Sequence, residues 1–317
     1  MICSPLNQSG GTAVPRTDET IRLADPTIFA DKGRYYLYGT SGNQGFLVYE
    51  SSDLVRWKGP VGKSKGYALS KGDSFGRSGF WAPQVFRYRG IYYMAYTADE
   101  QIAIASSDSP LGPFKQNEIR PLSGIGKQID PFIFFDTDGK AYLYHVKLKE
   151  GNKIFISEME SNLTDIIKGT ENECITATEN WENTAFSSWS VTEGPTVLKV
   201  NSVYYMLYSA NDFRSKDYAV GYATSDSAKG PWKKHKANPL ISRANFNRNG
   251  TGHGDVFTDA SGQLMYVMHT HFSNENVSPR LTGIVDLKLS KVKGIRDLEL
   301  AVDTSTFNLL MLESKRL

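Results

Sequence analysis

The length, composition and charge of the chain limit what it can do. Its 317 residues are 40% hydrophobic and 22% charged and carry a formal net charge of +2, which predicts no particular attraction to nucleic acid or to an anionic membrane. The two cysteines, Cys3 and Cys174, form neither a disulfide framework nor a Cys-x-x-Cys metal site. No apolar run reaches the roughly 18 residues that cross a bilayer. We therefore expect one large globular domain or two ordinary ones, with no nucleic-acid partner and no membrane span.

Residues 1–21 are predicted to be a flexible lead-in to the folded part. They contain neither the basic start nor the long apolar stretch of an intact secretory signal peptide. A truncated export or lipid-anchor signal could end near Cys3, and in that case the protein would be periplasmic or secreted rather than cytoplasmic. The sequence leaves the compartment open.

A repeated segment begins at residue 25 and recurs along the chain. Each copy has a short polar or proline-containing step, an apolar stretch, a turn at Gly or Asn-Ser, and a second stretch rich in Tyr. The copies begin at Asp25 (DPTIFADKGRYYLYGT), Ala82 (APQVFRYRGIYYMAYT), Asp130 (DPFIFFDTDGKAYLYH), Glu193 (EGPTVLKVNSVYYMLYS) and, in a weaker form, His253 (HGDVFTDASGQLMYVMHT). Repeats with a period of roughly 40 to 60 residues predict a solenoid, a propeller or an array.

Further apolar stretches follow the first two in each of the first four copies. The third stretch covers residues 45–54, 101–110, 152–161 and 218–227, and in three copies Trp57, Phe114 or Trp232 begins a fourth. Four successive strands are typical of an antiparallel propeller blade, and no window has the apolar period of a helix. We predict an all-β fold: a five-bladed β-propeller of four-stranded antiparallel blades around a central channel. It forms a single catalytic domain over residues 1–317, with blades at 22–78, 79–126, 127–185, 186–246 and 247–317.

Proline places the acidic residues at the central channel. A residue before proline favours an extended conformation, and proline itself is found at the start of a strand or at a sheet edge because it lacks an N–H. The innermost strand of a blade is such an edge. Asp25, Asp130 and Glu193 are therefore expected at one equivalent step of three inner strands, Glu193 with one inserted residue. Their carboxylates would then meet across one funnel.

Converging carboxylates favour catalysis over three unrelated surface charges. Each residue alone is more simply a turn opener or a solvated charge, but like charges that share a channel destabilise one another, and perturbed carboxyl groups mark functional sites. Glycoside hydrolysis needs one carboxylic acid to protonate the leaving oxygen and a second carboxylate to activate water or to attack directly. A third anion can raise the pKa of the acid. A separation of about 6.5–9.5 Å indicates inversion, and about 5–5.5 Å indicates retention.

Five motifs together resemble those of glycoside hydrolase family 43 and span nearly the whole chain in order. The motifs are LADPTIF around Asp25, FWAPQVF at 80–86, IDPFIFF around Asp130, VTEGPTVLK around Glu193 and GTGHGDVF at 250–257. The resemblance implies a five-bladed propeller that cleaves arabinose or xylose from plant cell-wall polysaccharides with inversion. It also implies that Asp25 is the general base, that Asp130 tunes and orients the acid, and that Glu193 is the general acid.

The resemblance extends to side chains around the three carboxylates. It implies that Trp81 lines the sugar pocket and that Arg280 hydrogen-bonds the substrate, with a packing aromatic and a solvated arginine as the alternatives. Trp189, just before VTEGP, either stacks on a sugar face or plugs a loop. His253 stands where relatives hold a histidine, in some cases on a calcium ion. We expect no cofactor for the chemistry, and we leave open a structural Ca²⁺ at His253 or a buried, hydrogen-bonded histidine there.

The expected activity is an inverting glycosidase that releases α-L-arabinofuranose or β-D-xylose from arabinan, arabinoxylan, xylan or derived oligosaccharides. An endo-1,5-α-L-arabinanase of the same family is the alternative if the site is an open groove rather than a pocket. A non-catalytic sugar-binding propeller is disfavoured because a lectin has no reason to keep three carboxylates at these steps. A fructan-cleaving propeller is disfavoured because this chain has Ala-Asp-Pro-Thr and Glu-Gly in place of Asn-Asp-Pro-Asn and Glu-Cys.

Overall fold

The computed structural model describes residues 20–124, 126–291 and 298–313, which form a ring of five antiparallel β-sheets. Each sheet contacts the next along the chain and the fifth contacts the first, so the predicted five-bladed β-propeller is confirmed. Most of the predicted lead-in lies outside the described residues. Its last two residues, Thr20 and Ile21, are buried, and the N–H of Ile21 donates to the carbonyl of Leu310 at 2.9 Å.

The strands are numbered in chain order. Blade 1 contains β1 (Ala24–Asp31), β2 (Arg34–Thr40), β3 (Gly45–Leu47), β4 (Tyr49–Ser51), β5 (Arg56–Trp57) and β6 (Tyr67–Ser70). Blade 2 contains β7 (Trp81–Tyr88), β8 (Ile91–Ala98) and β9 (Gln101–Ser107). Blade 3 contains β10 (Gln128–Phe135), β11 (Ala141–Leu148), β12 (Asn152–Glu158) and β13 (Asn172–Ile175). Blade 4 contains β14 (Thr192–Val200), β15 (Val203–Ala210), β16 (Ala219–Ser225) and β17 (Lys233–Lys234). Blade 5 contains β18 (Gly252–Thr258), β19 (Leu264–Thr270), β20 (Leu281–Lys291) and β21 (Leu298–Leu309).

Three short elements complete the described chain. They are β22 (Met311–Leu312), a single-turn helix α1 (Arg243–Phe246) and a 3-10 turn (Asn180–Glu182). The prediction of few helices is confirmed, and within the described ranges no helix is long and apolar enough to span a membrane. Strand β22 pairs in parallel with β5, so the end of the described chain adds to blade 1 and helps to close the ring.

Two blades depart from the predicted four-stranded form. Blades 3, 4 and 5 have four strands paired in chain order, whereas the main sheets of blades 1 and 2 have three strands. Isolated bridges, Glu50 with Lys58 and Ser106 with Lys115, mark the place of a fourth strand. The predicted third strand of blade 1 at residues 45–54 is broken because β4 pairs with β2 while β3 turns aside to pair with β6. The long connection at 59–79 therefore supplies a strand.

The apolar core consists of clusters between neighbouring blades, with one cluster at each of the five interfaces. Between blades 1 and 2, for example, Phe46 packs edge-on against Phe80 with ring centroids 5.9 Å apart. Full burial of one such side chain stabilises the fold by about 1.5–3 kcal/mol. Because both faces of every sheet are packed in this way, the inner strands are held in a rigid frame around the channel.

Every inner strand has the same irregularity where it enters the channel. Its pairing with the second strand of its blade shifts register there, in β1, β7, β10, β14 and β18. The residue at the shift has a positive φ in each blade: Asp25 (48°), Ala82 (45°), Asp130 (56°), Gly194 (58°) and His253 (32°). The prediction that the residue before each proline is extended is therefore wrong. A β-bulge places it in the left-handed region, at a cost of about 1–3 kcal/mol where it is not glycine, and re-aims its side chain.

Candidate active site

A cavity of about 540 Å³ lies beside the five bulges, and all seven residues singled out in the sequence line it. Those residues are Asp25, Trp81, Asp130, Trp189, Glu193, His253 and Arg280. The remaining wall is formed by Glu100, Ile129, Leu148, Asn152, Val191, Asp212, Phe213 and Arg214. A mostly concave site of this size with a few convergent polar groups suits a small ligand or one end of a larger one.

A repeated hydrogen bond holds the backbone of the bulges. In four blades the bulge N–H donates to a polar side chain on the second strand of the preceding blade, which satisfies a buried donor that the register shift removes from the sheet. The donor and acceptor pairs are Ala82 to Thr40 Oγ1 (3.0 Å), Asp130 to Thr97 Oγ1 (2.9 Å), His253 to Ser209 Oγ (2.8 Å) and Asp25 to His269 Nδ1 (3.1 Å). These hydrogen bonds connect neighbouring blades next to the cavity.

The bulge of blade 4 departs from this pattern, and the exception links two of the three carboxylates. The equivalent residue on β11 is Val146, whose side chain has no acceptor. The N–H of Gly194 donates instead to Oδ2 of Asp130, at 3.1 Å. A side chain is excluded at Gly194 because a Cβ there would lie 2.7 Å from the ring of His253. Asp130 is therefore held against the backbone next to Glu193.

Asp25 is an ionised carboxylate surrounded by Arg280 and several polar side chains. Its Oδ1 lies 3.0 Å from Nη1 of Arg280 and 3.5 Å from Nδ1 of both His253 and His269, and its Oδ2 accepts a 2.7 Å hydrogen bond from Thr40. Burial by itself raises the pKa of Asp25. The positive charge of Arg280, the two imidazoles and the Thr40 hydroxyl together outweigh burial and hold the pKa well below its usual range.

Glu193 and Asp130 have raised pKa values, chiefly because they are removed from solvent. Burial raises the pKa of Glu193 to about 7, and repulsion from Asp25 adds to it. Burial, followed by repulsion from Glu193 and Asp25, raises the pKa of Asp130 well above its usual range. The two carboxyl groups therefore keep their protons to higher pH than an ordinary carboxyl group does, beside an ionised Asp25. Carboxyl groups with opposite pKa shifts thus share one cavity.

Hydrogen bonds hold Glu193 in one orientation. Its Oε1 accepts from the Tyr218 hydroxyl at 2.8 Å, and its Oε2 accepts from Nδ2 of Asn152 at 2.9 Å. The Trp189 indole N–H donates to Oδ1 of Asn152 at 2.9 Å, which fixes the direction of that amide. The Tyr218 ring stacks on His269 with centroids 5.7 Å apart. Tyr218 and His269 thus form a packed pair of rings between Glu193 and Asp25.

Arg280 is paired with Asp25, and Phe213 covers its guanidinium group. The guanidinium carbon lies 4.8 Å from the centre of the Phe213 ring, within the range of a cation–π interaction. The carbonyl of Phe213 accepts a 2.8 Å hydrogen bond from Nε2 of His271. The charged partner of Arg280 in the cavity is therefore the Asp25 carboxylate, at 3.0 Å.

The chain is similar to known glycosidases along most of its length. Residues 20–288 match Glycosyl hydrolases family 43. The chain belongs to this family. A solved structure described as an endo-1,4-β-xylanase from Bacteroides thetaiotaomicron is 38% identical, with 93% of this chain and 98% of that chain covered and a TM-score of 0.84.

Two curated relatives have names that describe different activities. An extracellular endo-α-(1→5)-L-arabinanase of Bacillus subtilis is 26% identical over 82% of this chain and 83% of its own length. A xylosidase/arabinosidase of Bacteroides ovatus is 26% identical over 66% of this chain and 76% of its own length. The protein is a glycosidase, and family 43 catalysis needs no cofactor.

The structure corrects the expected position of Glu193 in this family 43 fold. The residue that shares the left-handed step of Asp25 and Asp130 is Gly194, and Glu193 lies one residue earlier. In blade 2 that earlier position is held by Trp81, which is 38% exposed in the cavity. Successive residues of a strand point to opposite faces, so Glu193 reaches the cavity from a different direction than the two aspartates.

The surroundings of His253 do not fit a calcium ion. Its Nδ1 lies 3.5 Å from Asp25 and 3.8 Å from Asp130, and its ring packs against Gly194. Calcium takes about six to eight oxygen ligands, and in the part of the chain that the structure describes no three or more His, Cys, Asp or Glu side chains are grouped to hold a metal. Burial lowers the pKa of His253. We interpret it as a buried histidine whose ring lies between the two aspartates.

Sequence reasoning missed three polar contacts of the site. Asn152 begins the third strand of blade 3, and Tyr218 directly precedes the third strand of blade 4, whereas the repeated acidic steps lie on inner strands. His269 lies on the second strand of blade 5 and touches Asp25 from there. The sequence does contain one signal for His269. In four copies of the repeat a polar residue at the end of the second strand accepts the hydrogen bond from the next bulge, and His269 is that residue in the fifth copy.

Proposed function

We propose that this family 43 enzyme hydrolyses pentosides of plant cell-wall polysaccharides and releases α-L-arabinofuranose or β-D-xylose with inversion. The observation that carries the proposal is an ionised Asp25 and a proton-bearing Glu193 at one cavity, with opposite pKa shifts. Pairs of carboxyl groups whose surroundings drive their pKa values apart are typical of glycosidase acid and base pairs.

Each carboxyl group has a role in the proposed reaction. Glu193 donates its proton to the glycosidic oxygen while the bond between that oxygen and the anomeric carbon breaks. Asp25 accepts a proton from a water molecule, whose oxygen forms the new bond on the opposite face of the sugar. Asp130 accepts a hydrogen bond from the N–H of Gly194 and so positions the backbone next to the acid. Like Glu193, it is buried and has a raised pKa. Proton exchange with solvent then restores both groups.

Two features support a pentose substrate. The relatives described above are named an endo-xylanase, an arabinanase and a xylosidase/arabinosidase, and the substrates in these names are built from pentoses. Trp81 and Trp189 present partly exposed rings in the cavity, where the apolar face of a sugar ring can lie against them. Phe213 and Arg280 line the cavity on the side of Asp25, and the proposal places the cleaved bond near a chain end.

An endo-acting pentan hydrolase is the second candidate. One observation favours it: Phe186 exposes an aromatic ring outside the cavity wall, close in sequence to Trp189. An enzyme that cleaves within a chain needs contacts beyond a single sugar. The size of the first products separates the two candidates.

The first expected result is the hydrolysis of 4-nitrophenyl α-L-arabinofuranoside or 4-nitrophenyl β-D-xylopyranoside, assayed side by side. On arabinan or xylan we expect monosaccharide as the first product, with oligosaccharides indicating the endo alternative. Proton NMR during turnover should show the anomer opposite to that of the substrate. Binding of pentose oligosaccharides without turnover of any pentoside would contradict the proposal and favour a sugar-binding propeller.

The second expected result is an asymmetric pH profile. The acid must be protonated, so kcat/KM on an unactivated oligosaccharide should fall as pH rises through about 7, where Glu193 loses its proton. The base must be ionised, and because the pKa of Asp25 is lowered, activity should persist below the usual range of a carboxylate before it falls. Initial rates across a pH series, with stability checked at each value, test both limbs. An alkaline limb near the pKa of an unperturbed glutamate would contradict the assignment.

A further inference from the structure

Two exposed aromatic residues lie in the segment that leads into the strand of the acid. Phe186 is 87% exposed and Trp189 is 47% exposed, and both precede Glu193 on the approach to β14. Trp189 lines the cavity itself, and Phe186 lies three residues before it in the same segment.

The backbone of this segment is held by a dense set of hydrogen bonds. The side chain of Asn183 accepts from the N–H of Ser187 and donates to its carbonyl, each at 2.9 Å. The N–H of Thr184 donates to Oδ1 of the buried Asn211 at 2.9 Å. Phe186 itself has a φ of 51° and donates its N–H to the carbonyl of Asn183 at 3.1 Å. The segment thus presents Phe186 outward from a fixed turn.

The hydrogen bonds of Trp189 locate this segment on one side of the reaction. Trp189 donates to Asn152, which donates to Oε2 of Glu193, both at 2.9 Å. In the proposed reaction Glu193 protonates the oxygen that leaves, so the leaving part of the substrate must lie against Glu193. The base Asp25, with Arg280, belongs to the opposite side, where water attacks. The sugar next to the scissile bond on the leaving side is therefore adjacent to Trp189.

We propose that Trp189 and Phe186 form a binding surface for the leaving portion of a pentose oligosaccharide, which we call the leaving-group platform. The proposal rests on the proposed function and specifies its substrate: a chain that continues for two or more sugars beyond the cleaved bond. Trp189 stacks on the first leaving sugar, and Phe186, three residues earlier, stacks on a later one. Rigid aromatic side chains supply large contact areas with little loss of conformational entropy.

Trp189 also connects this platform to the acid. Its N–H fixes Asn152 with the amide nitrogen toward Glu193, so displacement of the indole would turn the donor away from the carboxyl group. The ring face and the N–H thus have separate functions. Trp189→Phe keeps a ring for stacking but removes the hydrogen bond, whereas Trp189→Ala removes both.

The test compares two substrates whose leaving groups differ. One is the 4-nitrophenyl pentoside that the wild-type enzyme hydrolyses, and the other is an unactivated oligosaccharide of the same pentose and linkage. For Phe186→Ala, the ratio of kcat/KM on the oligosaccharide to that on the aryl pentoside should fall about tenfold, mainly through KM. For Trp189→Ala it should fall at least as far, through both KM and kcat, because this variant also removes the hydrogen bond to Asn152. Ile119→Ala removes an exposed apolar side chain outside the cavity and should leave this ratio unchanged.

Trp189→Phe separates stacking from positioning of the acid. It should keep the oligosaccharide KM within about threefold of wild type while kcat falls and the alkaline limb of the pH profile moves. An unmoved limb would contradict the link through Asn152.

Three outcomes would overturn the proposal. The first is an unchanged substrate ratio in both alanine variants that retain the wild-type circular dichroism spectrum. If Trp189→Ala fails to fold, Phe186→Ala decides alone, because its side chain contributes little to the core. The second is a change in sedimentation of Phe186→Ala with an unchanged ratio, which would make Phe186 a contact between copies of the chain. The third is a wild-type enzyme that hydrolyses no pentoside, which would instead remove the proposed function.

Discussion

Glu193→Gln is expected to reduce kcat on an unactivated pentosyl oligosaccharide by about 10²–10⁴-fold, because an amide cannot protonate the leaving oxygen. The fold should persist. Asn152 is fixed by Trp189 and continues to donate to the amide oxygen of the new side chain, while the amide nitrogen donates to the Tyr218 hydroxyl. Circular dichroism and thermal melting should therefore match the wild-type enzyme.

The leaving group provides an internal control for this prediction. A 4-nitrophenolate leaves with little need for protonation, so the loss on the aryl pentoside should be much smaller than the loss on the oligosaccharide. Glu118→Gln changes a glutamate whose side chain is 81% exposed and should affect neither substrate. Equal losses on both substrates would show that Glu193 acts in another way than as the acid, for example in binding.

The positions of the two aspartates could be predicted because the signal is local. Asp25 and Asp130 each precede a proline in a repeated segment, and proline is tolerated only at the edge that an inner strand presents to the channel. Once the repeat indicates a propeller, edge strands from different blades must meet at the axis. The backbone conformation of the residue before proline was predicted wrongly, because the pre-proline rule is a local steric preference and the bulge imposes a left-handed conformation instead.

The displacement of Glu193 could also have been predicted. Gly194 precedes Pro195 as Asp25 precedes Pro26, so the residue equivalent to Asp25 is the glycine. Glycine adopts the left-handed region without a steric penalty, and only glycine leaves room for the ring of His253. Alignment on the proline, rather than on the acidic residue, gives the correct register.

Other parts of the site depend on tertiary structure that a pattern does not contain. Asn152 and Tyr218 reach Glu193 from third strands, whose ends are placed by the loops before them. The raised pKa of Glu193 arises mainly from burial, which exists only after the ring of blades closes. The break between β3 and β4 similarly results from the pairing of β3 with β6, a segment that looked like a loop because of its glycines.

Asp25→Asn is expected to reduce turnover by about 10²–10⁴-fold on both the oligosaccharide and the aryl pentoside, because activation of water is needed whatever leaves. The amide is isosteric, and its oxygen can still accept from Arg280, so the fold should be kept although the charge is lost. Asp108→Asn, at an exposed aspartate of blade 2, is the matched control.

A small anion that needs no base tests the role of Asp25 directly. Azide should restore turnover of the aryl pentoside by Asp25→Asn and yield a glycosyl azide of inverted configuration, whereas it should not accelerate the wild-type enzyme. Together with inversion by the wild type, this result assigns Asp25 to water activation rather than to covalent attack. A rate within about tenfold of wild type without azide would show that water is activated elsewhere, because the loss of a general base exceeds that factor. The Arg280, His253 and His269 side chains around Asp25 would then have to be explained as a structural cluster, although their geometry favours an ionised base.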